Sequence, residues 1–420
     1  MKIAVIGSGG REHSICVSLK NSKDISELYC IPGNGGTSLL AKNIEIDIGD
    51  FEKIKNFIIE NKIDLVVIGP EKPLVDGLTD YLEGFGIKVF GPNKKASQLE
   101  GSKIFTKKLC QKENIPTAKF GIFKNKEDSI SYLKSSEFPI VIKADNIAAG
   151  KGVYISNNIT EAVNAINEIF DGKFGVANNV LIEEFLEGEE MSFFIITDGI
   201  TIKEFGTAQD HKRVSEGDKG KNTGGMGCYS PSRLISDDLK SKILNQIIHP
   251  TLKALKKQSI TYNGFLYAGL MIKDGNPYLI EYNVRMGDPE CQTILPKLKS
   301  SLAEIFFSTV NQKLNEANIE WKDKKSLCVV LCSNGYPDDY KKNIEIENLE
   351  QLKLDNNNLV FHAGTKIENY KTYAIGGRVL NFISLDDNFN IIKKNVYSNL
   401  EKLNWKNGFY RKDIGYKTQD

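Results

Sequence analysis

Short apolar runs alternate with mixed polar and apolar stretches along the first hundred residues. Lys2 to Ile6, Glu27 to Ile31, Leu65 to Ile68 and Lys88 to Phe90 read as strands, with helices near 12–21, 51–61 and 72–84. Strands that alternate with helices predict a parallel sheet covered on its faces. Ligands of such sheets bind at the loops leaving the carboxyl ends of the strands. Here those loops are Gly7-Ser-Gly-Gly-Arg11-Glu-His13, Pro32-Gly-Asn-Gly-Gly-Thr37 and Gly69-Pro-Glu71-Lys-Pro, all rich in glycine or proline.

A predicted helix from Ala96 to Glu113 leads to Ile115-Pro-Thr-Ala, a turn that reads as a boundary. A second mixed region follows, with strands at Pro139 to Lys143 and Asn179 to Glu183 and a helix from Thr160 to Phe170. The glycine-dense stretch 219–227 predicts an ordered loop over a ligand rather than a bare flexible one. A helix from Asp237 to Lys257, the strand Gly264 to Ile272 and the run Pro277-Tyr-Leu-Ile-Glu281-Tyr-Asn283 complete that region. Beyond Lys322 come strand-like runs at Leu327 to Cys332, Val360 to Ala363 and Arg378 to Phe382, then a helix over 387–403.

A chain of 420 residues is long enough for roughly two or three domains. Its 40% hydrophobic and 26% charged composition is that of an ordinary globular protein. A net charge of +1 offers no global field for nucleic acid or an acidic membrane, and no apolar run reaches the ~18 residues of a span. The seven cysteines are scattered; Cys328 and Cys332 alone lie close, inside an apolar run, where free buried thiols are expected rather than zinc ligands. The start of the chain shows no apolar signal core, so the cytoplasm is the expected compartment.

The chemistry concentrates near residue 280. Glu281 and Asn283, two apart on a strand, point to one side, and a carboxylate beside an amide oxygen suits Mg²⁺ holding phosphate. Arg285 follows at the same period and could neutralise charge on a transferred phosphoryl group. Lys143 ends an apolar strand shortly before Ala148-Ala-Gly150-Lys151-Gly152, where glycines let backbone close over phosphates. This spacing is not that of a Walker loop. Glu183 and Glu190, flanking Phe185-Leu186, could hold an adenine amino group and a ribose, or form an ordinary acidic turn. The amino-terminal Gly7-x-Gly9-Gly10 lacks the small residue and the ribose-binding acid of a dinucleotide fingerprint, though helix-terminal amides there could take a phosphate. His13 and His211 stay open between a hydrogen-bonded structural histidine and a functional one, and no base with an obvious partner can be read from the sequence.

The order of Lys143, Gly150-Lys-Gly152, Glu183, Glu190 and Glu281-x-Asn283-x-Arg285 resembles that of the ATP-grasp ligases. The wording of Gly-Arg11-Glu-His13, Gln98-Leu-Glu-Gly-Ser-Lys103, Gln209-Asp-His-Lys-Arg213, Asn222-Thr-Gly-Gly-Met-Gly227 and Gly287-Asp-Pro-Glu290 is similar to that of the phosphoribosylamine–glycine ligase family, and the likeness spans nearly the whole chain. It implies an α/β protein: an N-terminal parallel α/β (Rossmann-like) domain over 1–100, a central ATP-grasp α+β domain over 101–322 with a mobile lid at about 117–190, and a small C-terminal mixed α/β domain over 323–420. It further implies ligation of glycine to phosphoribosylamine through glycyl phosphate, with ATP and Mg²⁺ (or Mn²⁺), by a monomer that contacts neither nucleic acid nor membrane. Catalysis would fall to Arg285, Asp288, Asp210 and Lys212, and the metal to Glu281 and Asn283. ATP would lie on Lys103, Lys143, Gly150, Lys151, Gly152, the run Glu183, Glu184, Phe185 and Leu186, and Glu190. The other substrates would meet Gly9, Arg11, Glu12, Asn34, Gly35, Glu71 and Gly287.

Two departures from the family pattern stand out. Asn146 replaces a usual glycine beside the phosphate loop, and the strand Tyr267-Ala-Gly-Leu-Met271 lacks the metal-binding acid of many ATP-grasp enzymes. Two other readings remain: a purine-pathway relative that uses formate or bicarbonate, and a nicotinamide oxidoreductase built on the first domain. A nucleotide-binding regulator without turnover fits poorly with a full metal and arginine set.

Overall fold

The structure is a computed structural model that describes residues 1–145, 152–175 and 179–418. Its amino-terminal sheet holds five parallel strands in the order Lys42–Asn43, Glu27–Pro32, Lys2–Gly7, Leu65–Ile68, Val89–Phe90. The four expected strands are present; Lys42–Asn43, a two-residue edge, is too short to leave a pattern in the sequence. Side chains of the first strand alternate between two cores. Ile3 and Val5 pack with Ile15, Cys16 and Leu19 of the helix Gly10–Lys20, whereas Ala4 and Ile6 pack with Ile54 and Ile58 of the helix Phe51–Glu60. Both faces are therefore buried, which explains the unbroken apolar runs. The order reverses between Lys2–Gly7 and Leu65–Ile68, so a crevice opens where those two strands end.

Two expected helices are broken. The stretch 72–84 divides into Glu71–Asp76 and Leu78–Glu83 at Gly77, whose φ of 100° ends the first piece in the left-handed region. The stretch 96–113 divides into Gln98–Gly101 and Lys103–Glu113, because Ser102 is extended and its hydroxyl accepts the Phe105 amide at 3.1 Å as an N-cap. That break starts a new helix at Lys103. The helix near 237–257 runs from Asp237–Ile243 through a π-turn at Leu244–Ile248 into His249–Lys257. Pro250 has no N–H for the regular bond one turn back, which accounts for the widened turn.

A four-stranded antiparallel sheet, ordered Phe120–Phe123, Val180–Glu184, Ile140–Ala144, Val153–Ser156, carries the helices Lys126–Leu133 and Ile159–Phe170. Its apolar cluster, with Ile142, Ile166, Ile169 and Ile182 at the centre, is separate from the others. Such a unit can move as one body.

The largest sheet joins the central region to the carboxyl-terminal segment. Its antiparallel path runs Asn276–Asn283, Gly264–Lys273, Glu189–Thr197, Ile202–Asp210, Gly227–Ser230, Lys325–Ser333, Arg378–Asp386, Asn358–His362. Gly227 pairs with Val329 and Cys228 with Cys328, so the segment beyond 322 extends a sheet begun earlier. The glycine-dense stretch is ordered. Lys219–Asn222 pairs with Arg213–Ser215, the Gly224 amide donates to the Tyr336 hydroxyl at 3.0 Å, and Arg378 donates to the Gly224 carbonyl at 2.6 Å.

Candidate active site

One cavity of about 980 Å³ opens where the crevice of the parallel sheet meets the largest sheet and the four-stranded unit. Gly7 to Gly9, Pro70 and Glu71 come from the ends of the two switch-point strands; Lys143, Gly152 and the run 183–190 come from the four-stranded unit and its exit. Glu281, Asn283 and Arg285 form its floor, and Arg378 reaches it from the carboxyl-terminal segment.

Glu281 and Asn283 sit opposite Gly269 and Tyr267 on the neighbouring strand. A side chain at Gly269 would press on the Glu281 stem at 3.3 Å, so the glycine leaves that carboxylate room. Burial pushes the Glu281 carboxyl up, but the Lys212, Lys143 and Lys103 charges, with Arg285, outweigh it and hold the group below its ordinary value. An ionised carboxylate beside an amide oxygen is a hard donor pair, which fits a divalent cation. Burial lowers Lys103, with Glu281 opposing. Lys212 pairs with Glu190 at 2.6 Å.

Arg285 is held from two sides. Its Nη2 meets Glu100 at 2.7 Å and its Nε lies 3.3 Å from Glu71, while the other Glu100 oxygen accepts the Val284 amide at 2.8 Å. Burial drives Glu100 up to about 7, opposed by the Arg285 guanidinium. Arg11 donates to Glu12 at 2.6 Å and to the Met286 carbonyl at 3.1 Å, which locks the first helix against this turn. Asp288 accepts from Gln292 at 2.7 Å and lies 3.3 Å from Arg378, whose Nη1 also donates to the Asp288 carbonyl at 2.6 Å. Burial raises Asp288, but Arg378 and Arg11 prevail and keep it below the usual carboxylate range. Burial and the nearby Glu290 charge push Asp210 well above that range.

The nucleotide side is built around Glu183. Its carboxylate takes Lys143 on one oxygen and Lys107 on the other, each at 3.0 Å. Lys107 also donates to the Thr117 hydroxyl at 2.6 Å, which donates to the Leu279 carbonyl at 2.6 Å, two residues before Glu281. Leu99, Ala118, Val141, Ile155, Phe185, Leu186 and Met271 supply apolar wall along the same stretch. Breaking a buried pair by removing one partner costs about 3–5 kcal/mol, and Lys143 still covers half of the carboxylate, so Lys107→Met is expected to lower stability by about 3 kcal/mol. Urea unfolding of both proteins at neutral pH measures this, and a loss below about 1 kcal/mol would reduce the contact to the level of a surface pair.

Profiles of three domains match in order: the phosphoribosylglycinamide synthetase N domain over residues 1–100, its ATP-grasp (A) domain over 101–291 and its C domain over 326–417. The phosphoribosylamine–glycine ligase of Agrobacterium fabrum is 46% identical over 99% of this chain and 98% of its own length. The chain belongs to the phosphoribosylamine–glycine ligase family. The Brucella melitensis member is 44% identical over the same shares, 99% and 98%. The crystal structure of the Thermotoga maritima ligase superposes with a TM-score of 0.84 at 32% identity, covering 99% of this chain and all of that one. The biotin carboxylase domain of the Hydrogenobacter thermophilus 2-oxoglutarate carboxylase shares the fold, with a TM-score of 0.69 at 18% identity over 95% of this chain and 89% of its own.

Most residues expected from the ligase resemblance line the one cavity, from Gly9, Arg11, Glu12 and Glu71 through Lys103, Lys143, Gly152, the run Glu183 to Leu186 and Glu190 to Asp210, Lys212, Glu281, Asn283, Arg285, Gly287 and Asp288. Asn34 and Gly35, expected at the substrate, are absent from its lining. Their loop follows Glu27–Pro32, away from the switch point. Asn34 uses its amide on the Ser8, Gly9 and His362 carbonyls and the Gly36 and Thr37 amides, and the Gly35 amide donates to the Thr365 carbonyl. Glu12 reaches the cavity, but its carboxylate accepts the Gly9 amide at 2.6 Å as well as Arg11, so it shapes the first loop. Asn146, Gly150 and Lys151 lie outside the described residues.

The ligase cavity also contains residues to which the sequence assigned no role: Glu100, Tyr267 and Glu290, which lie inside the quoted motifs, and Lys107 and Arg378, which do not. A signal existed for Lys107, which lies one helical turn from Lys103 on the same face. Arg378 stands about ninety residues beyond the motifs, and only the shared sheet brings it in. His13 lies off the cavity lining and His211 is part of it, and each ring has a backbone partner. His13 Nδ1 accepts the His362 amide at 2.8 Å and burial lowers its pKa to about 3, while His211 Nδ1 lies 3.1 Å from the Gly227 carbonyl and burial lowers its pKa to about 4.

Proposed function

We propose that the cavity joins glycine to 5-phosphoribosylamine, converting ATP to ADP and phosphate and releasing glycinamide ribonucleotide, a step of de novo purine (IMP) synthesis. The observation that carries this reading is that one cavity unites an ATP-grasp lysine and carboxylate set with the switch-point loops of a parallel sheet. A carboxylate does not condense with an amine, because an oxide-like group would have to leave. Transfer of the γ-phosphoryl group to glycine gives glycyl phosphate; the phosphoribosylamine nitrogen attacks its carbonyl, phosphate departs and an amide remains. Phosphoryl transfer asks the protein for position and charge rather than covalent chemistry.

Lys103 and Lys143 meet phosphate oxygens, and the apolar wall by Phe185 and Leu186 holds the base. Glu281 and Asn283 hold Mg²⁺ (or Mn²⁺), which when bound neutralises phosphate charge. Arg285 stabilises the acyl phosphate and the tetrahedral adduct, while Asp288, Asp210 and Lys212 surround the reacting end. Gly9, Arg11, Glu71 and Gly287 face phosphoribosylamine. The division into 1–100, 101–322 and 323–420 belongs to this reading, as does a monomer acting on small molecules without nucleic acid. Seven free, buried cysteines favour the cytoplasm. No described helix is long and apolar enough to cross a membrane.

A coupled ADP assay, with phosphoribosylamine generated in place, tests the assignment against glycine, formate and bicarbonate. ADP release with glycine alone is expected; release with formate but not glycine would overturn the substrate.

Glycyl phosphate must be kept from water, which calls for closure. The 117–190 unit has its own core and is tied to the floor by Pro116 and Thr117, which hold Leu279 from both its amide and its carbonyl. ATP is expected to slow amide exchange in Phe120–Phe123, Ile140–Ala144 and Val180–Glu184. Exchange unchanged by saturating ATP would remove the lid from the mechanism.

A further inference from the structure

A second cavity, of about 490 Å³, lies apart from the first, within the roughly 300–1,000 Å³ typical of small-molecule sites. The short helix Glu290–Ile294 runs between the two, with Glu290 lining the first and Ile294 the second. Lys297, just beyond that helix, lines the second cavity and is only 8% exposed. Its Nζ donates to the Ser230 hydroxyl at 2.7 Å, and that hydroxyl donates to the Thr207 carbonyl at 2.6 Å. The serine therefore turns a lone pair toward the lysine. Among the described residues no carboxylate pairs with Lys297, and burial lowers its pKa to about 7. A buried ammonium without a counter-charge is costly, and nothing in the ligase chemistry above uses it.

The neighbouring charges limit what could supply the missing anion. Lys240 lies 3.6 Å from Glu204 and from Asp237, and Lys322 donates to the Pro296 carbonyl at 2.8 Å. Lys297 is the buried cation of the cavity, and with the acids Glu204 and Asp237 on the rim the site suits a singly charged group and disfavours a phosphate dianion. Phe193, Ile235 and Trp321 supply apolar wall beside it. We propose that this cavity is a second ligand site, which takes a small monocarboxylate on an aromatic or aliphatic body with Lys297 as its anchoring cation. The site is independent of the reaction assigned to the first cavity.

Benzoate is the probe, and its neutral isostere benzamide the control, in calorimetric titrations of the whole protein. Saturable benzoate binding is expected, with benzamide weaker by at least ten-fold. The Lys297 ammonium must be present for binding, so affinity is full below pH ~7 and falls about ten-fold per unit above it. Lys297→Met, close in volume and apolar, is expected to abolish binding while ADP release with glycine stays unchanged. The fluorescence of Trp321, one of two tryptophans, should quench in step with the heat. The pH series uses the unmodified protein and holds even if the variant folds poorly. Binding that ignores pH, survives Lys297→Met, or fails to saturate at tens of millimolar benzoate would overturn the proposal.

Discussion

Glu281→Ala is expected to lower turnover by roughly 10³-fold or more, the scale at which single groups act on the charge of a transferring phosphoryl group. The carboxylate lies amid the Lys212, Lys143 and Lys103 charges, and they hold it ionised against its burial. Its removal takes away the one charged donor of the proposed metal pair; the strand opposite offers Gly269 and Tyr267, neither a carboxylate. It also removes a negative charge that acts on Lys212, Lys143 and Lys103, although Glu190 still pairs with the first and Glu183 with the second. Glu281→Gln separates these effects, because it keeps the volume and an oxygen donor but not the charge. A loss for the glutamine variant close to that of alanine would place the effect on charge. Either protein within ten-fold of the parent, once circular dichroism shows it folded, would move the metal elsewhere.

Much of this site was legible because its residues sit at strand ends and turns with strict chemical needs. Glu281 and Asn283 share a strand face, and Lys143 ends a strand whose apolar run stands out. The parallel sheet was equally plain, since both faces of Ile3 to Ile6 are buried and the sequence has no polar alternation there. Loop convergence was harder to read. All three glycine-rich loops leave the same sheet edge, yet strand order decides which of them face the crevice. The Asn34 loop, one strand outside the reversal, touches the cavity-lining Ser8 and Gly9 without lining the cavity itself. Helix breaks were hidden for a similar reason. Ser102 is unremarkable within a polar run, but its extended backbone ends one short helix at Gly101 and begins another at Lys103, leaving Glu100 against Arg285. Arg378 could not be found locally at all, because its place depends on a strand pairing between Gly227 and Val329 a hundred residues apart.

Arg285→Ala is expected to cost about 10²–10³ in turnover with a smaller change in the ATP KM, because the guanidinium acts on charge that develops during reaction. Its position is not its own. Glu100 takes one nitrogen and the adjoining Val284 amide, Glu71 approaches the Nε, and Arg11 grips the next carbonyl at Met286. A guanidinium held so firmly meets the reacting group without first having to be ordered. Glu100→Gln keeps an acceptor for the Val284 amide and removes the charge facing Arg285, so a loss of about ten-fold is expected, falling on turnover rather than on KM. In the double variant Arg285→Ala/Glu100→Gln the second change should add almost nothing, since Glu100 acts through the arginine. Full additivity would mean that Glu100 meets substrate by itself, and near-normal turnover of Arg285→Ala would end the role assigned to the arginine.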